Sequence, residues 1–223
     1  MTRLEKIKKY AETLSTAAKW ASSSDAILSI ENVDDVNKKQ EYIYEFYCAL
    51  RILDDLSSTY SIEITNCKEK KVFPKAPASK KKYPFFIVKD SKGDKVFEIC
   101  LGVDIKGIAD ETSAPDISFQ NPDCGMNPNF NDVFMLFDSK FKHALNGKVT
   151  DLEFYKVSGM IKNLACEDAF KTKTLSFNLL KDLLHNCILT NGKTFKINHN
   201  HHKMFGLKTI EHFDENNTFN VYG

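Results

Sequence analysis

The 223-residue sequence lacks the long apolar segments that mark membrane and secreted proteins. No run of apolar residues approaches the ~18 residues that a membrane span requires. The first residues, Met1 to Lys6, are charged and contain no apolar signal-peptide core. Internal repeats and low-complexity tracts are also missing. We therefore expect a soluble, cytoplasmic protein with no membrane partner.

Closely spaced cysteines are missing as well. The six cysteines are scattered and form no Cys-x-x-Cys pair, which argues against a common zinc site or a disulfide framework. They are interpreted as reduced and mostly buried thiols. His199, His201 and His202 have no cysteine or carboxylate at ligand spacing, so a polar loop is favoured over a metal site, and the role of this stretch stays open.

A strong net charge is the third missing feature. The formal net charge is +1, so any contact with nucleic acid must come from a local basic patch. The segment 68–82 is rich in lysine and contains two prolines, which predicts a mobile basic loop. The candidate phosphate contacts are Lys70, Lys71, Lys80, Lys81 and Lys82. A solvated lysine loop without a ligand is the alternative interpretation.

Apolar residues make up 42% of the chain and charged residues 27%, which is typical of a globular domain with a sizeable core. A spacing of three and four residues predicts helices, and alternation predicts strands. The predicted helices are 3–20, 36–56, 151–166 and 175–184. The predicted strands are 60–64, 83–89, 95–105, 114–119 and 133–140, followed by a hairpin around Asn191-Gly192 and an edge strand within 207–223.

This order predicts an α/β (α+β-like) fold, in which helices flank a central mixed β-sheet. Residues 1–35 are interpreted as an N-terminal helical extension, and residues 36–223 as the main domain.

Two acidic residues and a lysine stand out on neighbouring predicted strands. Asp116 lies within one strand, and Asp138 and Lys140 end the next, directly after the apolar run Val133 to Phe137. Converging carboxylates suit Mg²⁺, which takes one or two of them together with water and phosphate oxygens. Lys140 shares a strand face with Asp138, where it could orient or deprotonate an attacking water or stabilise a phosphate. The Ser139 side chain faces away, but its carbonyl could complete a metal shell. The alternative interpretation is that these charged residues simply face solvent at the ends of strands.

Two rival motifs occur nearby. Pro122-Asp123 lies closer to Asp138, but the residues after it are typical of a turn, so Asp116 is preferred. A second Asp-x-Lys begins at Asp104 and ends at Lys106, and it precedes both Pro-Asp pairs. It is therefore interpreted as, at most, a supporting acid near the site.

Glu45 falls on an apolar side of the second predicted helix, in line with Ala49, Ile52 and Leu56. Burial of a carboxylate is costly unless a metal ion or a lysine pairs with it. Glu45 is therefore a candidate member of the site. The alternative is a position at the rim, from which the carboxylate reaches water.

Pro115-Asp116 followed by Asp138-Ser139-Lys140 resembles the signature of the PD-(D/E)xK, or restriction-endonuclease-like, nucleases. The resemblance covers roughly residues 40 to 195. Glu45 resembles the glutamate of the family's core helix, and Lys156 is similar to a basic residue on the helix that follows the motif. The segments Gly102 to Ile105 and Thr190 to Gly192 resemble nuclease subunits of modification-dependent restriction systems.

The resemblance implies a restriction-endonuclease-like core, dependence on Mg²⁺ with Mn²⁺ as a substitute, and hydrolysis of DNA phosphodiester bonds. It implies that Asp116, Asp138, Ser139 and Glu45 surround the metal, with Lys140 and Lys156 as further catalytic candidates. The leading hypothesis is an endodeoxyribonuclease of prokaryotic restriction or defence, acting as a homodimer or with a targeting partner protein. One alternative is a catalytically idle nuclease fold that binds DNA or assembles a defence complex. Another is a hydrolase of a different phosphoester.

Overall fold

A computed structural model describes residues 3, 5–10, 36–65, 73–144, 146–194, 206–214 and 219–222. Most of the predicted N-terminal extension, the candidate contacts Lys70 and Lys71, and the histidines at 199–202 lie outside these ranges. Among the described helices, none is both long enough and apolar enough to cross a membrane.

Among the described residues, two long α-helices flank the sheet. Helix α1 spans Val36–Ser57 and helix α2 spans Asp151–Asn163, close to the predicted bounds. Thr150 caps α2: its hydroxyl accepts a hydrogen bond from the Glu153 amide, and the Glu153 carboxylate accepts one from the Thr150 amide. Residues 5–10 are also helical.

The helix predicted at 175–184 is wrong, because this segment contains only the 3-10 turn Lys181–Leu183. Leu175 and Phe177 are both buried while Ser176 between them is exposed, which is the alternation of an extended chain. The Asp55 carboxylate on α1 also accepts hydrogen bonds from the amides of Asn178 and Leu179, at 2.8 and 2.7 Å. These contacts fix the segment against α1 in a non-helical form.

Twelve strands are described. They are β1 Ser61–Thr65, β2 Phe85–Lys89, β3 Lys95–Leu101, β4 Ile105–Lys106, β5 Thr112–Ser113, β6 Ile117–Gln120, β7 Val133–Lys140, β8 Lys148–Val149, β9 Asn186–Thr190, β10 Lys193–Thr194, β11 Leu207–Glu211 and β12 Asn220–Tyr222.

Eight of these strands form one mixed sheet in the order β1-β2-β3-β6-β7-β9-β11-β12. Neighbours are antiparallel from β1 to β7, parallel from β7 through β9 to β11, and antiparallel again between β11 and β12. The predicted mixed sheet with flanking helices is confirmed. The predicted hairpin at Asn191-Gly192 is wrong, because β10 pairs in parallel with β8 and not with β9.

The core lies in two layers, one on each face of the sheet. Helix α1 packs on one face with Phe119 and Phe137, and α2 packs on the other with Leu136 and Ile188. In β7, Phe134, Met135 and Phe137 belong to the α1 layer, and Val133 and Leu136 belong to the α2 layer. The strand is therefore buried on both faces, which explains its unbroken apolar run. Ile7 belongs to the α1 layer, so the described part of the N-terminal segment packs on the same core; residue 35, the predicted domain boundary, is not described.

Candidate active site

The register between β6 and β7 brings the two predicted aspartates together. Ile117 pairs with Phe137 in this antiparallel ladder, so Asp116, one residue before β6, stands opposite Asp138. Directly opposed residues of an antiparallel pair are the closest side-chain neighbours in a sheet. Asp116 is also tied to the end of β3, because its carbonyl accepts a hydrogen bond of 3.1 Å from the Gly102 amide.

Gly102 makes this junction possible. Its φ of +55° lies in the left-handed region that glycine tolerates best, and a Cβ there would stand 3.3 Å from the Pro74 ring. The chain can therefore turn sharply after β3 and still leave room for the loop at residues 73–79.

The end of β7 supplies the other predicted residues. The Ser139 amide donates a hydrogen bond of 2.6 Å to Oδ2 of Asp116. Within a strand, the amide and carbonyl of one residue point toward the same neighbour, so the Ser139 carbonyl faces the side of Asp116 as well. Lys140 Nζ forms an ion pair with Oδ2 of Asp138, whose side chain is largely buried.

Glu45 enters the group from α1, which packs against β7. Burial, together with the charges of Asp116 and Asp138, raises the pKa of Glu45 to about 9, although Lys140 acts in the opposite direction. Glu45 and Asp116 also line the same cavity, which places their carboxyl groups beside each other. The structure therefore brings Glu45, Asp116, Asp138 and Lys140 together at one end of β6 and β7.

The excess of acid also shifts the pKa values of Asp116 and Lys140. Burial and the charge of Asp138 raise the pKa of Asp116 to about 7, against the effects of Lys140 and the Ser139 amide. Burial lowers the pKa of Lys140, but the carboxylates of Asp138 and Asp116 outweigh it and raise that pKa above its usual value. Without a further cation, the site holds protons at neutral pH and Lys140 stays charged.

A cavity of about 240 Å³ opens beside this group. Glu45 and Asp116 form its acidic wall, and the remaining walls come from α1, the loop at 73–77 and the end of β3. Sequence reading missed this cavity, because its walls come from segments far apart in the chain and carry no shared motif. Gly102 did carry a signal in the sequence, since a glycine at the end of a strand often marks a place where another segment of the chain approaches the backbone closely.

Lys156 does not join the group. Its side chain is exposed on α2, and within the described residues no hydrogen bond or ion pair connects it to the four site residues. The helix turns Phe154 and Val157 toward the core instead, which leaves Lys156 facing solvent.

The prediction that Lys80 contacts phosphate is wrong. Lys80 is 1% exposed and forms an ion pair of 2.5 Å with Glu98 beneath the 3-10 turn Lys80–Lys82. Its ammonium also donates to Gln120 Oε1 at 3.1 Å and to Cys124 Sγ at 3.0 Å. Lys80 therefore pairs with Glu98 inside a buried polar cluster and is not exposed in a mobile loop. Lys81 and Lys82 are exposed, as the phosphate-contact prediction requires.

Asp123 and Lys106, one residue from each rival motif, form surface ion pairs. Asp123 is exposed and forms an ion pair with Lys95. Lys106 is exposed as well and pairs with Asp110 at 2.8 Å. Within the described residues, the lysines and aspartates of these two surface pairs form no ion pair with the four site residues.

The donor set suits a hard cation such as Mg²⁺ in part. Three carboxyl groups converge on a single lysine, and a cation would relieve the repulsion that raises the pKa values of Glu45 and Asp116. In the part of the chain that the structure describes, however, no three His, Cys, Asp or Glu side chains are arranged tightly enough to hold a metal ion. If Mg²⁺ binds here, the two aspartates would hold it, with water and phosphate as the remaining ligands and Glu45 acting through water.

Comparison with known proteins gives no family for this chain: no family model, no curated protein and no solved structure matches it.

Proposed function

We propose that this protein is a Mg²⁺-dependent endonuclease that hydrolyses DNA phosphodiester bonds, on a restriction-endonuclease-like core. The observation that supports it most strongly is the convergence of Glu45, Asp116, Asp138 and Lys140 at one edge of the sheet. An acidic group of this size with one lysine has no evident structural purpose, because it leaves buried carboxyls that repel one another.

Each residue has a role that follows from its surroundings. Asp116 and Asp138 would hold the ion, and the Ser139 amide fixes Asp116 by its hydrogen bond. Bound Mg²⁺ supplies charge neutralisation at the phosphate and an acidified water, and Mn²⁺ is expected to substitute. Lys140 remains protonated in the acidic surroundings, which favours a role in orienting the water and stabilising charge on the phosphate over a role as base. Glu45 would hold or receive a proton through water.

The proposed DNA partner needs cations outside the acidic group. Lys75, Lys81 and Lys82 are exposed on the segment that borders the cavity, and they are the described candidates for phosphate contacts. Binding through them should weaken as salt rises.

The test is cleavage of plasmid and oligonucleotide DNA with Mg²⁺ by wild-type protein and by Asp138→Asn and Lys140→Ala. We expect each substitution to reduce the rate by about 10²- to 10⁴-fold, the range for removal of one catalytic group. The two rival motifs provide matched controls: Asp123→Asn and Lys106→Ala alter surface ion pairs and should leave the rate unchanged. Circular dichroism and urea unfolding would verify that each variant is folded.

Cleavage at the wild-type rate by both Asp138→Asn and Lys140→Ala would overturn the proposal. DNA retention without cleavage by the wild-type protein, across Mg²⁺ and Mn²⁺, would instead favour a catalytically idle nuclease fold.

A further inference from the structure

The cavity beside the acidic group has walls of a different chemistry. Apart from Glu45 and Asp116, it is lined by aromatic, proline and small apolar residues, with Lys75 as its one basic lining residue among those described. Tyr42 and Phe46 are stacked, with ring centroids 6.2 Å apart and planes 9° from parallel, and Phe46 leans on Phe73 at 5.6 Å. The cavity thus has an aromatic wall and lies next to the proposed site of phosphodiester hydrolysis.

The size of the cavity limits what it can admit. Drug-sized ligands occupy roughly 300–1,000 Å³, so about 240 Å³ suits a single ring system with little attached to it. The apolar walls disfavour a phosphate, whose charge would lose its water without compensation. A flat heteroaromatic ring, by contrast, gains from packing against aromatic side chains.

The position of the cavity beside the acidic group indicates which kind of heteroaromatic ring could occupy it. Its acidic wall consists of two of the proposed catalytic carboxyls, so its occupant must lie next to the phosphate that is cut. In duplex DNA the base at that position is stacked and paired, and cannot enter a protein cavity unless it is extruded.

We infer that the cavity receives one unpaired nucleobase adjacent to the cleaved bond, so that the preferred substrate is DNA in which this nucleotide is single-stranded, mismatched or at a strand end. The inference rests on the proposed function and adds the substrate class. Exposed Lys75 at the cavity then faces the sugar–phosphate backbone of the same nucleotide.

The first test compares cleavage of three matched oligonucleotides with Mg²⁺: a single strand, a fully paired duplex, and a duplex with one mismatched position. We expect the single strand to be cut about 10- to 100-fold faster than the duplex, from the value of stacking one base on aromatic side chains. The mismatched duplex should be cut next to the mismatch. Equal rates on all three substrates would overturn the inference.

The second test fills the cavity. Ala76 lines it and is exposed, so Ala76→Trp can place an indole at the entrance without disturbing the core. The preference for unpaired DNA should disappear in this variant. Ala109→Trp, at another exposed alanine away from the cavity, is the matched control and should keep the preference. Persistence of the preference in Ala76→Trp would count against the cavity as the base site.

A binding measurement separates this inference from the proposed function. Asp138→Asn protein is titrated with a single strand that carries 2-aminopurine, whose fluorescence falls when the base packs on aromatic rings. Quenching that is lost when the aliphatic substitution Ala76→Leu narrows the entrance supports the base site even if no substrate is cut, in which case only the proposed activity fails. Cleavage of duplex and single strand alike, without quenching, would retain the nuclease and reject the base site.

Discussion

The protonation of Glu45 gives a prediction that depends on the geometry of the site and not on its proposed activity. Glu45→Gln replaces a carboxyl that is protonated at neutral pH by an amide of the same shape. The pKa of Glu45 is raised from its usual 4.5 to about 9 by burial and by Asp116 and Asp138. The unfolded chain releases this proton near pH 4.5, whereas the folded chain keeps it until about pH 9. Folding therefore takes up a proton within this window, and stability falls as the pH rises.

The magnitude follows from the linkage relation. One proton taken up on folding lowers the free energy of unfolding by about 1.4 kcal/mol per pH unit. Between pH 6 and pH 8, both within the window for Glu45, the wild-type protein should lose about 2 to 3 kcal/mol from this group. Asp116, with its pKa raised to about 7, adds to the loss below that pH.

Urea unfolding at pH 6 and pH 8 in the presence of a metal chelator measures the effect. Relative to the wild-type protein, Glu45→Gln should gain about 2 to 3 kcal/mol of stability between pH 6 and pH 8, because the variant has no carboxyl that takes up a proton on folding. Glu111→Gln, at an exposed loop position, is the control and should follow the wild-type profile. If wild-type and Glu45→Gln proteins gave parallel pH profiles, Glu45 would not lie among the acids as described.

Three further outcomes are expected. Mg²⁺ should restore part of the stability that the wild-type protein loses at pH 8, because a bound cation favours ionised carboxyls. This gain should be missing in Asp138→Asn. An equal gain in both proteins would argue against a metal site at Asp138. Lys80→Met should lower the free energy of unfolding by about 3 to 5 kcal/mol, because it leaves Glu98 buried without its lysine partner. Lys95→Met, which removes an exposed ion pair, should leave the free energy of unfolding nearly unchanged. Thr150→Ala should cost about 1 kcal/mol through loss of the α2 cap, and an unchanged urea midpoint would contradict that role.

Local patterns gave reliable bounds where one face of an element is buried throughout. The helix predicted at 36–56 spans Val36–Ser57, and the strand predicted at 133–140 has those bounds. The helix predicted at 175–184 was wrong because its leucines and Phe177 fit a helical spacing only loosely. Hydrogen bonds to the Asp55 carboxylate of α1 hold this segment in a non-helical conformation instead. Periodicity cannot register a partner 120 residues away in the chain.

The lysine-rich segment shows the same limit for charged residues. Lys80, Lys81 and Lys82 are indistinguishable in sequence, yet Lys80 is buried against Glu98 and the other two are exposed. The direction of each side chain is set by the 3-10 turn and by Glu98 on β3, which no local pattern predicts. The parallel pairing of β9 was hidden as well, because the Asn191-Gly192 signal is compatible with a turn that leads away from the sheet.

The sequence by itself determined the members of the acidic site: Asp116, Asp138 and Lys140 by strand pattern and order, and Glu45 by its place on an apolar helix face. Alternation and helical spacing are local properties, so they can assign a side chain to a face. Only the tertiary structure decided that these faces meet, because the register of β6 against β7 and the packing of α1 are set by contacts between distant segments. It also created the aromatic cavity beside them, whose walls come from four segments that share no pattern along the chain.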